Sequence, residues 1–210
     1  CSGCWGAGQD FAERRVRILV VGGMFPPMRT GTSFYTRNLA LALQSHGHQV
    51  EVVTLGKVGT AIEEGLKVHR LVAISLPLAG FFKHFRLCAW NPVNWWRLYR
   101  IARRSGAEAI LLVNHYLDIA FPARFAAWLN RIPLVCSVGT QLQSLNPRRN
   151  RILNVLDRLV CGLLVFPGCA RVVAWDTQIR QYLQDVQGKQ FLRKVVIVNY
   201  GVNGNPDRLL

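Results

Sequence analysis

Three short loops hold the residues whose types and spacing could do chemistry. They are Thr30-Gly31-Thr32, the run Cys136 to Gln141 with Gly139 and Thr140, and Tyr200-Gly201-Val202-Asn203 after a valine-rich stretch. A glycine lets a ligand come against the backbone, and the amides at a helix start attract anions. The first of these loops, with Gly31 at a helix start, therefore suits a ligand or a second domain approaching the backbone. His115, just past the run Ala109 to Val113, could reach the same region. Imidazole serves equally well as a proton carrier or as a local hydrogen-bonding residue, so both readings stay open. Asp118 and Asp176 read as helix caps rather than as catalytic carboxylates.

These loops need elements to position them. Ile18 to Val21 is a β-branched run closed by Gly22 and Gly23, as in a strand buried on both faces. Thr32 or Ser33 can cap a helix in which Phe34, Leu39, Ala42 and Leu43 recur at helical spacing and which Gly47 ends. Val50, Val52 and Val53 supply the next strand. Together they predict a right-handed βαβ unit with its ligand site outside the carboxyl ends of the strands. Further strands are predicted at Leu66 to Ile74, Ala109 to Val113, Leu134 to Ser137, Arg171 to Ala174 and Val195 to Val198. Helices fit between them: Asn91 or Asn94 to Arg104, Leu117 to Asn130, about Asn150 to Leu163, and Thr177 to Gln184. The alternation predicts an α/β fold with a doubly wound parallel sheet.

Neither common phosphate fingerprint fits the first loop. Gly22, Gly23 and Gly31 do not match G-x-G-x-x-G, and no Lys follows Gly31 as a Walker loop requires. Instead the order is a Gly-ended strand, Phe25-Pro26-Pro27, a small pair Thr30-Gly31, a helix with Leu39-Ala40 and Leu43, then Gly47-His48-x-Val50-x-Val52. This order resembles the start of the GT-B glycosyltransferases of family four. Val195 to Val198 followed by Tyr200-Gly201-Val202-Asn203 is similar to the segment that closes the N-terminal domain of that family. The resemblance spans roughly residues 16 to 208 and is dense at both ends. It implies the Rossmann-like N-terminal half of a GT-B fold, and retaining transfer of a sugar from a nucleotide-sugar donor to a glycan or lipid-linked acceptor. It also implies no cofactor beyond the donor, which the C-terminal domain of the family mainly binds. The implied substrate-binding residues are Thr30, Gly31, Thr32, His115, Gly139, Thr140 and Gly201, with catalytic residues unassigned. Two departures stand out: the pair is Thr-Gly where the family usually has Gly-Gly, and Val138 or Gly139 stands where a His is common.

Composition bounds the rest. The 210 residues fit one large α/β domain, expected over 16–203. Residues 1–15 read as a frayed extension and 204–210 as the start of an interdomain linker, so that this chain alone would be inactive. Net charge is +15, from 26 basic and 11 acidic residues, which favours anionic partners. From Phe81 to Arg104, aromatic side chains alternate with cations. Phe81, Phe82, Lys83, Arg86, Trp95, Trp96, Arg97 and Arg100 suit either an anionic membrane surface or a surface helix with a basic outer face. The longest apolar runs, Leu71 to Phe82 and Leu159 to Ala170, are too short to cross a bilayer. Cys88, Cys136, Cys161 and Cys169 sit in apolar surroundings and read as small hydrophobes. Cys1-Ser2-Gly3-Cys4 lacks a second pair, so no metal is expected, and the expected location is the cytoplasm or the inner face of its membrane. A non-catalytic nucleotide or nucleic-acid binding module is one alternative, nucleic acid being the less favoured partner. A degenerate glycosyltransferase relative is the other.

Overall fold

The computed structural model describes residues 14–75, 86–115, 118–142 and 146–198. Phe81, Phe82, Lys83, Gly201 and the Cys1/Cys4 pair lie outside the described residues. Ten strands are described: β1 (Arg17–Gly22), β2 (Gln49–Leu55), β3 (Gly59–Glu63), β4 (Leu66–Leu71), β5 (Ile74–Ser75), β6 (Arg86–Leu87), β7 (Ala109–Val113), β8 (Leu134–Val138), β9 (Cys169–Ala174) and β10 (Val195–Ile197). Five α-helices connect them: α1 (Gly31–Ser45), α2 (Pro92–Arg104), α3 (Ala120–Asn130), α4 (Pro147–Leu156) and α5 (Thr177–Gln187).

Eight strands form one sheet in the order β10-β9-β8-β7-β1-β2-β4-β3. Every pairing is parallel except that of β3 with β4. The sheet is doubly wound about β1. Val20, Val52 and Val68 pack with Tyr35 and Ala40 of α1 on one face. Leu19, Val21, Val53 and Leu112 pack with α2, α3 and α5 on the other. Because both faces are covered, the central strands read as continuous apolar runs, which is why the sequence shows them so plainly.

Four local departures have physical reasons. Thr30, not Thr32 or Ser33, caps α1, its Oγ1 accepting the Ser33 amide at 3.1 Å. Thr30→Ala should therefore lower stability by about 1 kcal/mol in urea unfolding. Asp118 does not cap α3. Its carboxylate accepts the amides of Cys88 and Ala89, the second at 2.7 Å, and so ties the segment before α2 to the segment before α3. The hairpin β3–β4 is additional, turning at Glu64 and Gly65, both at positive φ (51° and 78°). The helix predicted from about Asn150 starts earlier, at Pro147, where Asn146 accepts the Arg148 amide at 3.1 Å. It then widens into a π-helical stretch, Asp157–Val165. Asn91 and Asp176 cap α2 and α5 as the sequence predicts.

Candidate functional site

The strand order reverses at β1, with β2 on one side and β7 on the other. In a sheet of this kind the crevice outside the carboxyl ends at that reversal is the natural ligand site. Gly22 ends β1 there. A Cβ on Gly22 would lie 2.9 Å from Thr36 Cγ2, so only glycine lets α1 sit this close to the strand. The first turn of α1 opens on the same crevice and contains no acidic residue. Thr30 takes the amides of Ser33 and Phe34, through Oγ1 and its carbonyl, while the amides of Gly31 and Thr32 stand at the helix end that attracts anions.

Asn114, one residue beyond β7, joins the predicted loops. Its Nδ2 donates to Thr32 Oγ1 at 3.3 Å, and its Oδ1 accepts the Gly139 amide at 3.3 Å. The residue is held at φ 64°, a left-handed conformation that asparagine tolerates better than most side chains. Thr32 and Gly139 are thus brought together across three elements. Thr140 follows Gly139 and is exposed. Beside them, Ser137 Oγ accepts Trp175 Nε1 at 2.8 Å and hydrogen-bonds Tyr35 Oη at 2.9 Å. The Tyr35 and Trp175 rings lie 3.9 Å apart, centre to centre. Asn114, Tyr35 and Trp175 had no motif to mark them, while Ser137 falls in the run Cys136 to Gln141. Asn114 and Trp175 had only their position, just past a strand, as a signal.

His115 is enclosed rather than open to the crevice. Its Nε2 lies 3.0 Å from Asp157 Oδ1, both side chains are 0% exposed, and its ring stacks on Phe166 at 5.1 Å. Tyr182 Oη donates to the other Asp157 oxygen, and Cys161 Sγ donates to the His115 carbonyl at 3.5 Å. Burial pushes the Asp157 carboxyl up. The His115 hydrogen bond and charge, with the Tyr182 hydrogen bond, more than offset this and leave it below the ordinary carboxylate range. One ligand atom each from His115, Asp157 and Cys161 lies within 4.8 Å of the others, a spacing that could hold a metal. Those atoms already serve one another within the fold: Cys161 Sγ donates to the His115 carbonyl, and Asp157 serves both His115 and Tyr182. The cluster is better read as a buried lock between the end of β7 and the π-helical stretch.

The residues expected on a membrane or acceptor surface divide. Arg86 reaches inward to the Leu55 carbonyl at 3.4 Å. Trp95 is half-buried, donates to the Ala89 carbonyl at 2.7 Å and packs edge-on against Phe125. Trp96, Arg97 and Arg100 line a groove of about 550 Å³ between α2 and the β3–β4 edge. Cys88, Cys136, Cys161 and Cys169 are all buried and free.

The glycosyltransferase family 4 model matches residues 29–204. No curated protein sequence matches the chain. Among solved structures, a sucrose-phosphate synthase of Thermosynechococcus elongatus is similar at 12% identity and TM-score 0.54, over 89% of this chain and 90% of that one. A UDP-GlcNAc 2-epimerase of Methanocaldococcus jannaschii is similar at 11% identity and TM-score 0.53, over 87% of this chain. MnaA of S. aureus, solved with UDP, is similar at 15% identity and TM-score 0.52, again over 87%. The chain spans 45% of the epimerase and 43% of MnaA. At these identities the likeness shows the fold.

Proposed function

The chain belongs to glycosyltransferase family 4, and we propose that it is the acceptor-side half of an enzyme that moves a sugar from a nucleotide-sugar donor to a glycan or lipid-linked acceptor with retention at the anomeric carbon. One observation carries this reading. Around Gly31, at the first turn of α1, a Cβ would meet nothing within 4 Å, so the backbone there is open to a ligand. The donor diphosphate would sit at the mouth of the crevice. The helix end would face the charge that develops on the leaving group, while a second domain supplies most of the contacts to the nucleotide. Thr32, Gly139 and Thr140, held through Asn114, would border the reacting sugar. The nucleotide in the MnaA structure is consistent with a nucleotide-sugar partner here.

Gly31→Val tests the proposal in the intact enzyme. Gly31 has no left-handed φ and its Cβ direction is empty, so the variant should melt within a degree or two of the parent. Donor-dependent sugar transfer should nevertheless fall at least about tenfold, because the new side chain occupies the space where the diphosphate approaches. Unchanged turnover with unchanged melting would rule out a ligand at this helix end.

A further inference from the structure

We propose that the outward face of α4 and its π-helical continuation docks on an anionic lipid surface. A helix laid on a globular core normally turns polar residues to solvent. This one does not. Leu153, Asp157, Cys161 and Val165 face the core, and on the opposite side Ile152, Val155, Leu156, Leu159 and Leu163 follow one another at i, i+3, i+4, i+7 and i+11, all exposed. Leu163 is 65% exposed, Ile152 61% and Leu159 53%. The apolar surface continues onto α3 through a hollow of about 330 Å³ bounded by Leu164, Phe125, Trp95 and Trp128. Trp128 is 71% exposed.

Charge identifies the occupant. Arg148, Arg151 and Arg158 are exposed beside the stripe, and the only acidic residue of residues 147–165 is Asp157, which is buried and paired inward. Aliphatic side chains flanked by arginines, with tryptophan at the margin, match the boundary between anionic headgroups and acyl chains. A second copy would set these arginines against their own symmetry mates, which costs association. Among the described residues no helix is long and apolar enough to cross a membrane, so contact here would lie along the surface. The sequence suggested lipid contact over Phe81 to Arg104 and left the same choice open for the basic cluster Arg148, Arg149, Arg151 and Arg158. The apolar face found here lies beside that second cluster and shares only Trp95 with the first stretch.

Vesicle flotation of the 210-residue protein decides the matter. At low salt it should float with phosphatidylcholine vesicles containing about a third phosphatidylglycerol and be released near 0.5 M salt, where screening shortens to a few ångströms. Leu159→Glu with Leu163→Glu should cut partitioning at least about tenfold with an unchanged melting curve. Arg151→Glu with Arg158→Glu should remove the preference for anionic over neutral vesicles. Ile152→Gln repeats the apolar test if the leucine pair does not fold. Failure to float at low salt would overturn the proposal, as would flotation untouched by a folded stripe variant. A concentration-dependent dimer abolished by the stripe variants, without flotation, would assign the face to a second copy instead.

Discussion

Asp157→Ala should destabilise the domain by about 3–5 kcal/mol, since two contacts to a buried carboxylate are lost at about 1.5–3 kcal/mol each. Its two oxygens receive His115 from the end of β7 and Tyr182 from α5, and all three groups are buried. Without the carboxylate, the imidazole loses its Asp157 contact and the phenol loses its acceptor, both in a buried setting. Urea unfolding at neutral pH measures the loss, and Tyr182→Phe, which removes the bond to Asp157 and the one from the Leu142 amide but leaves His115 with Asp157, should cost about 1–2 kcal/mol. The acid limb gives a second, independent readout. Asp157 has a depressed carboxyl pKa in the fold, so its contribution is complete above the unfolded value near 3.9 and disappears as pH falls through its folded value. Stability of the parent should therefore drop steeply below about pH 4, and that drop should be shallower in Asp157→Asn. If the alanine variant costs under about 1 kcal/mol, water reaches the cluster and the lock is not a buried one.

The same residues show where sequence reading succeeds and where it stops. Strands buried on both faces carry uninterrupted Val, Ile and Leu, so β1, β2, β7 and β8 were legible within a residue or two of their observed ends. The β3–β4 hairpin was not, because Glu64-Gly65 is a weaker turn signal than Asn-Gly and β3 is exposed along most of its length. Asp118 reads as a cap from its place before a helix, yet its partners are amides about thirty positions upstream, and local patterns do not encode such reach. The helix after Pro147 has one spacing that serves both of its faces. Apolar residues on the outside and on the inside together suggest a fully buried helix, and only burial reveals that half of them meet solvent. In the crevice, the glycines and threonines were legible and Asn114 was not. An asparagine after a strand is unremarkable until its two hydrogen bonds are seen to join α1 to the end of β8.

Gly139→Ala should cost about 1–3 kcal/mol, the range for forcing an extra group into a filled space, although nothing in the sequence separates this glycine from Gly31. A Cβ at Gly139 would fall 2.2 Å from Trp175 Cδ2 and Cε2. The indole is not free to step aside, because its Nε1 is bonded to Ser137 and its ring lies against Tyr35. Accommodating the methyl group therefore means breaking the Ser137 hydrogen bond or moving the loop after β8, and either change reshapes the crevice beside Thr32 and Asn114. A double-mutant cycle isolates the cause. In a Trp175→Ala background the added methyl should cost less than about 0.5 kcal/mol, giving a coupling of at least about 0.5 kcal/mol between the two positions. A full penalty in both backgrounds would place the strain in the backbone rather than in the ring contact. The contrast with Gly31→Val then becomes diagnostic: one glycine is required by a neighbour already in the fold, and substituting it lowers stability. The other has empty space above it, and its substitution should lower turnover alone.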